Sequence, residues 1–322
     1  MNARPRLVKR SAVVLAAVIT VAVSAGCAAQ PDAHPAATAT ARVEVHAAVH
    51  AAVAARGAAA ACNPEAASLA PLGPPQVTAG SFMAKIRARG YLIAGVDQST
   101  CHFGYLNPLD GQIEGFDIDM IKAVAEAIFG SPGHVVYKAI SDAQRIPDIL
   151  NGTVDIVAHT MTITCARLQQ VDFSSVYFQA HQRVLVLKDS TVNGLADLSG
   201  QKVCATSGSD SATLITHYHA IPVTVPYWTD CLVLLQQDQV AAISTDDSIL
   251  DGLEAQDPFT KLVGPELTQE PYGLAISKQH QDFVRFVNAV LAKERTDGAW
   301  AASYARWVGS PVPPPPTVGY AS

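Results

Sequence analysis

An α/β fold is what this sequence predicts, and three observations carry the prediction. From Ser81 onward, strand-like and helix-like segments alternate, the pattern of parallel sheets with helices on both faces. The chain has 322 residues, enough for two medium domains once its ends are set aside. Apolar residues make up 49% and charged residues 16%, a composition that builds a buried core and excludes global disorder. Lys and Arg number 22 against 28 Asp and Glu, a net charge of -6, and four of the basic residues fall in the first ten positions. The remaining body is more acidic still, which argues against nucleic acid as a partner.

The amino terminus reads as an address. Arg4, Arg6, Lys9 and Arg10 precede a short apolar run that ends in V-S-A-G-C at Cys27. The run is too short to span a membrane and is closed by small residues, so residues 1–26 are expected to be a secretory signal peptide. A Cys directly after Ala-Gly resembles the lipobox of bacterial lipoproteins, although Ser24 stands where Leu is usual. That resemblance implies a lipidated Cys27 and attachment to the outer face of the cytoplasmic membrane. Residues 27–78, rich in Ala, Pro and Thr, read as a flexible tether. His46 and His50 have helical i, i+4 spacing, but with His34 they form no shaped set of ligands, and no metal site is expected.

The globular part follows in order. Residues 82–89 have helical spacing and stop at Gly90. A strand at 91–96, a loop at 97–107 and an Asp110-Gly111 turn lead to G-F-D-I-D-M from Gly115, which opens a helix reaching 128 or 129. Asp117 and Asp119 near its start are expected to serve as capping residues that favour its dipole. Strands at 135–140 and 154–158 flank a helix at 145–150, and a further strand follows at 183–187. L-A-D-L-S-G at 195–200 introduces a second series, with strands at 202–205, 223–227, 240–245 and 273–276 and helices beginning near Ser209 and Thr229. Helices at 283–291 and 299–307 precede a Pro-rich tail, 311–322, expected to be extended and exposed.

The stretch T-M-T-I-T-C-A-R from Thr160 follows the strand at 154–158 and sets the hydroxyls of Thr162 and Thr164 ahead of Arg167. Arg presents a planar fork that holds a carboxylate through two parallel hydrogen bonds and keeps its charge at working pH. A strand end with hydroxyls and an Arg suits a carboxylate ligand. In an arbitrary chain the same pattern is more often a helix cap or a surface ion pair; here the rest of the sequence reverses that.

Seven motifs occur in one order: G-F-D-I-D-M from Gly115, T-I-T-C-A-R from Thr162, V-D-F-S-S-V-Y from Val171, L-S-G-Q-K-V from Leu198, S-G-S-D-S from Ser207, S-T-D-D-S-I-L from Ser244 and D-G-A-W-A-A-S-Y-A-R-W from Asp297. Together they resemble the polar amino-acid family of extracytoplasmic solute-binding proteins (family 3) that serve ABC importers. The nearest resemblance is to the glutamate/glutamine-binding lipoproteins of actinobacteria, and it runs from about Ser81 to Gly309. It implies a two-lobed periplasmic-binding-protein-like fold with two hinge crossings, at 183–187 and 273–276, and a ligand in the cleft between the lobes. The first lobe would comprise residues 79–185 and 276–310, and the second 186–275.

A free amino acid is a zwitterion, and burying either charge unpaired is costly. The resemblance assigns the carboxylate to Arg167 and Thr162, with the amides of Ser207, Gly208 and Ser209 opposite, at an expected helix start. The ammonium would fall to Asp246 and the carbonyl of Thr160; Asp247 is the rival, and strand alternation sends the two to opposite faces. Phe103 matches a recurring aromatic of the family, read as structural ahead of ligand-contacting, while Thr100 stands at the ring-stacking place and A-Q-R at 143–145 at the second platform. Arg145, with Arg183 near the cleft, favours an acidic side chain, whereas Asp97 favours an amide, so glutamate, aspartate and their amides remain as one class. Exported cysteines favour disulfides. Cys204 in a strand and Cys231 at the start of a packing helix suggest one pair, and Cys62 with Cys165 a second that would pin the tether beside the cleft, leaving Cys101 free; spacing alone leaves the connectivity open. No C-x-x-C occurs, and no cofactor or metal is expected. The functions in play are a monomeric receptor that delivers an amino acid to an ABC importer, a sensor reporting occupancy to a membrane signalling partner, and a dehydratase on the same fold. The last needs a spare general acid, for which Asp97 or His102 are the candidates.

Overall fold

A computed structural model describes residues 62–321. The signal peptide, Cys27, the three tether histidines and the tether as far as residue 61 lie outside the described residues. Helix α1 (Phe82–Arg89) begins where the Ser81 hydroxyl accepts the Ala84 N–H at 3.1 Å. It ends at Gly90, whose φ of 93° turns the chain into β1 (Leu92–Val96). Three short strands, β2 (Ser99–Thr100), β3 (Gly104–Leu106) and β4 (Ile113–Glu114), form a small antiparallel sheet ahead of α2 (Phe116–Phe129). Next come β5 (Val135–Ala139), α3 (Arg145–Leu150), β6 (Ile156–Ala158), α4 (Cys165–Leu168) and β7 (Asp172–Phe173).

The long strand β8 (Phe178–Leu187) carries the chain into the second lobe. There follow β9 (Lys202–Thr206), α5 (Ser211–His217), β10 (Ile221–Val225), α6 (Trp228–Gln236), β11 (Ala242–Asp246), α7 (Asp247–Gln256) and β12 (Thr260–Val263). Strand β13 (Gln269–Tyr272) returns to β14 (Ala275–Ile276), after which α8 (Gln281–Thr296) and α9 (Ala299–Trp307) finish the first lobe.

Two main sheets result, ordered β5-β1-β6-β14-β7 and β10-β9-β11-β8-β12. Each is mixed rather than wholly parallel, because one strand in each is reversed: β14 in the first and β8 in the second. The reason is topological. Parallel strands point their carboxyl ends at the other lobe, so a strand arriving from that lobe enters at the same edge and runs against them. The crossings themselves are a two-stranded antiparallel ladder, Phe178 to His181 opposite Gln269 to Tyr272. The sequence reading placed them at 183–187 and 273–276, but the residues from Arg183 lie within the second sheet and Ala275–Ile276 within the first. An apolar run marks a strand without marking where its pairing changes partner.

Alternate residues of the first sheet feed opposite faces: Ala94, Ile156 and Ala158 join one core and Val157 the other. The second lobe has its own core, built around Val184, Leu185, Ile243 and Leu250. The disulfide Cys204–Cys231 links β9 to α6 within it. Asp117 and Asp119 are not the caps expected of them; Gly115 holds the cap position. Asp117 is fully buried, accepting from the Tyr177 hydroxyl at 2.6 Å and the Thr160 N–H at 2.8 Å, and Asp119 accepts from Ser303 and Trp307. Burial pushes the Asp117 carboxyl up, with these donors opposing it.

The two ends of the described chain are fastened to the first lobe. Residues 62–78, read as tether, are held by the Cys62–Cys165 disulfide, by Ser68 donating to the Phe173 carbonyl at 2.7 Å, and by Asn288 donating to Leu69. The Pro-rich tail is not free in solvent: Val312 packs on the core and the Ala321 N–H donates to Ser68. Trp300 of α9 anchors this side, meeting the Phe116 ring at 5.9 Å and donating its indole N–H to the Tyr177 carbonyl at 2.8 Å. Replacing it by Ala should cost about 3–5 kcal/mol by cavity formation, read as a lowered midpoint in urea unfolding, with Trp300→Phe recovering part of the loss.

Candidate functional site

The carboxyl ends of β1, β6, β9 and β11 face one another across a gap lined by both lobes. Arg145, Thr160, Thr162 and Arg167 line it from the first lobe, and Ser209 and Asp246 from the second. Thr160 sits at φ 42°, a left-handed conformation rare for a branched residue, and the buried Asp117 fixes it through the Thr160 N–H. Beyond it the backbone bridges to the returning strand: Ile163 N–H donates to Pro271 at 2.7 Å and Gly273 N–H to Met161 at 3.1 Å. Thr164 caps α4, accepting the Arg167 N–H at 3.2 Å, so the Arg starts from a fixed turn.

The Arg167 guanidinium points into the gap. It donates to the Thr162 carbonyl at 2.7 Å and to the Gly208 carbonyl at 3.4 Å, and lies 3.5 Å from the Asp210 carboxylate. Arg145 is deeper, paired with Asp142 at 2.7 Å and donating to the carbonyls of His159 and Gly208 at 3.2 and 3.3 Å. Asp142 in turn accepts from Thr206 of the second lobe. Burial works to raise the Asp142 carboxyl, but Arg145, His159, Thr206 and Arg167 outweigh it and hold the group below its usual range. Gly208 adopts φ 89°, and a Cβ there would stand 2.7 Å from the Ala143 Cα. Only glycine lets the two lobes approach this closely.

On the second lobe, Asp246 ends β11 with one oxygen accepting from the Tyr272 hydroxyl at 2.6 Å. Its other oxygen is buried without a hydrogen-bond partner, as are the Thr160 hydroxyl and the Trp228 indole N–H. Burial, reinforced by Glu270, Asp210 and Asp247, pushes the Asp246 carboxyl well above the usual carboxylate range. Glu270, buried near Thr162 and Arg167, is raised as well, first by burial and then by Asp210. Asp247, the rival, faces elsewhere: its carboxylate accepts from the N–H groups of Ser248 and His181.

Four residues expected at the ligand are placed differently. Asp97 spends one oxygen on the Gln98 and Ser99 N–H groups and the Ser99 hydroxyl, and the other on the Thr100 hydroxyl, so it shapes its own loop. Phe103 is buried edge-on against Phe178 at 4.9 Å and Phe116 at 6.0 Å, in the first-lobe core. Arg183 pairs opposite Thr245 in the second sheet and donates to the Gly264 carbonyl at 3.2 Å. Ser207 gives its N–H to Val225 at the end of β9, and α5 begins only at Ser211. Sequence reasoning missed Asp142, Asp210, Trp228, Glu270 and Tyr272. The D-x-x-R spacing before Arg145 and the Asp ahead of a helix at 210 were available signals; Tyr272 offers none, since strand pairing alone brings it to Asp246.

Residues 92–310 match the family described as Bacterial extracellular solute-binding proteins, family 3. The chain is 36% identical to the ABC transporter glutamine-binding protein GlnH of Bacillus subtilis over 229 residues, covering 70% of this chain and 84% of that protein. It is 30% identical to the glutamate-binding protein GluB of Corynebacterium glutamicum, covering 68% and 78% of the two chains. A solved ancestral arginine-binding protein bound to glutamine superposes with a TM-score of 0.65 at 31% identity, covering 69% of this chain and 99% of that one. By sequence and by fold, the chain belongs to the bacterial extracellular solute-binding proteins of family 3, two-lobed proteins that act outside the cytoplasm and bind free amino acids rather than transform them.

Proposed function

We propose that the protein is a lipid-anchored receptor, held through Cys27, that takes a polar amino acid with an amide side chain between its lobes and hands it to an ABC importer. The supporting observation is the charge pattern of the gap. Arg145, read from the sequence as a partner for an acidic ligand, is already neutralised by Asp142. Arg167 remains for the α-carboxylate and the unpaired Asp246 oxygen for the α-ammonium. Asp210 and Glu270 are then acids in excess, so a second carboxylate on the ligand would be buried without a free cation. An amide adds no charge, and the Trp228 indole N–H can donate to its carbonyl. Naming of the Bacillus relative as glutamine-binding points the same way.

The lobes approach so closely that the space among these side chains is about 10 Å³, room for about one water. A ligand therefore enters with the lobes parted about the β8–β13 ladder. On closure it replaces the contacts that Arg167 makes with Gly208 and Asp210.

A thermal-shift screen of the twenty amino acids should give its largest rise in melting temperature with glutamine, because a ligand held only by the closed form stabilises by mass action. A larger rise with glutamate would transfer the role to an acidic ligand, and no rise with any amino acid would overturn the reading. Arg167→Ala should cost about 2–5 kcal/mol of binding by leaving a buried carboxylate unpaired, measured by calorimetry. Affinity should also fall with pH. The ammonium needs ionised Asp246, whose carboxyl is raised by burial in the closed, empty arrangement, so closure on the ligand is full above that raised value and is lost as pH drops through it, with protons released on closure around the ligand. Calorimetry in buffers of different ionisation enthalpy reads this directly.

A further inference from the structure

A second cavity, about 370 Å³, lies on the hinge, within the size range of small-molecule sites. Its walls come from both lobes and from the crossing: Phe178 and His181 of β8, Asp247 and Asp251 of α7, and Trp300 and Tyr304 of α9. Pro313 and Pro316 of the carboxyl-terminal tail close it. The aromatic faces are ordered, with Tyr304 stacked on Phe178 at 5.8 Å and tilted on Trp300 at 5.3 Å.

The charge of the cavity is one-sided. Asp247 and Asp251 stand one helical turn apart, and no Lys or Arg among the described residues lines the walls. The one basic group, His181, has its ring nitrogens 3.5 Å from Asp247 and 3.7 Å from Glu266, so carboxylates outnumber it even when it is protonated. Arg183 acts on Asp251 from outside, but its guanidinium is bonded to the Gly264 carbonyl. Partial burial, with Asp247 and Glu254 alongside, pushes the Asp251 carboxyl up to about 6, and burial with Asp247 and Asp251 nearby raises the Tyr304 phenol. In both, burial is the larger cause and the neighbouring carboxylates add to it.

We propose that this hinge cavity is a second binding site, for a small organic ammonium ion, separate from the amino-acid cleft. The ammonium pairs with Asp251 beside Asp247, while the part-exposed Tyr304 ring and the tail prolines cover its alkyl groups. A neutral molecule of the same shape gives Asp251 no such partner, Asp247 being already held by the N–H groups of His181 and Ser248. Because α7 and α9 belong to different lobes, occupancy fixes their separation, and the ion and the amino acid alter each other's affinity by the same factor.

The test is calorimetric titration of the full chain with butylammonium chloride, and with 1-butanol as the neutral isostere, in the absence of any amino acid. Its outcome is thus independent of how the cleft is read. Butylammonium should bind saturably and at least tenfold tighter than butanol. Asp251→Asn and Tyr304→Ala should each weaken it roughly five- to thirtyfold, and Asp251→Asn, on the helix surface, keeps the test decisive if the Tyr304 variant does not fold. Equal binding of the amine and the alcohol, no saturable binding, or Asp251→Asn binding like the parent protein would overturn the proposal.

Discussion

Charges taken out of water must be paired, and this constraint organises the gap between the lobes. Two guanidiniums and four carboxylates meet there, and the protein alone balances only part of the set. Asp142 satisfies Arg145 and reaches across to Thr206, which makes the deepest ion pair also a joint between lobes. Arg167 and Asp246 hold weaker or incomplete partnerships. The charges the protein spends on itself are therefore held by different residues from those with partnerships left incomplete, and the proposed selectivity rests on that division.

The returning strand ties these charges to the hinge. Thr162 bridges to Tyr272, and Tyr272 donates its hydroxyl to Asp246. Two groups proposed for the two ends of a zwitterion are thus fastened to the same short strand, and that strand is half of the ladder that joins the lobes.

Local pattern made much of this legible. The strand-turn-Arg stretch at 160–167 announced itself because a strand end, a helix cap and an anchoring Arg are all short-range features. The alternation of elements gave the α/β class. Strand parity was the reason for preferring Asp246 over Asp247, yet the strand ends at Asp246 and Asp247 opens α7, so the two differ by element rather than by parity. Asp97 misled because a lone loop carboxylate looks the same whether it faces a ligand or its own following N–H groups; the Ser99 and Thr100 that occupy it were the clue. Arg145 misled for the opposite reason: it does line the gap, but its neutralisation depends on how the turn before it folds. Tyr272, Glu270 and the Asp117–Thr160 bond arise from pairings between segments far apart in sequence, which no local period encodes.

The bare α-carbon of Gly208 lies close against Ala143 of the opposite jaw. A side chain there would act as a doorstop rather than as a ligand contact, holding the halves ajar while every recognition group kept its chemistry. On the proposed reading, position 208 would be a dial for how strongly the protein grips, separable from what it chooses to grip, and bulk added there in steps would grade one without rewriting the other.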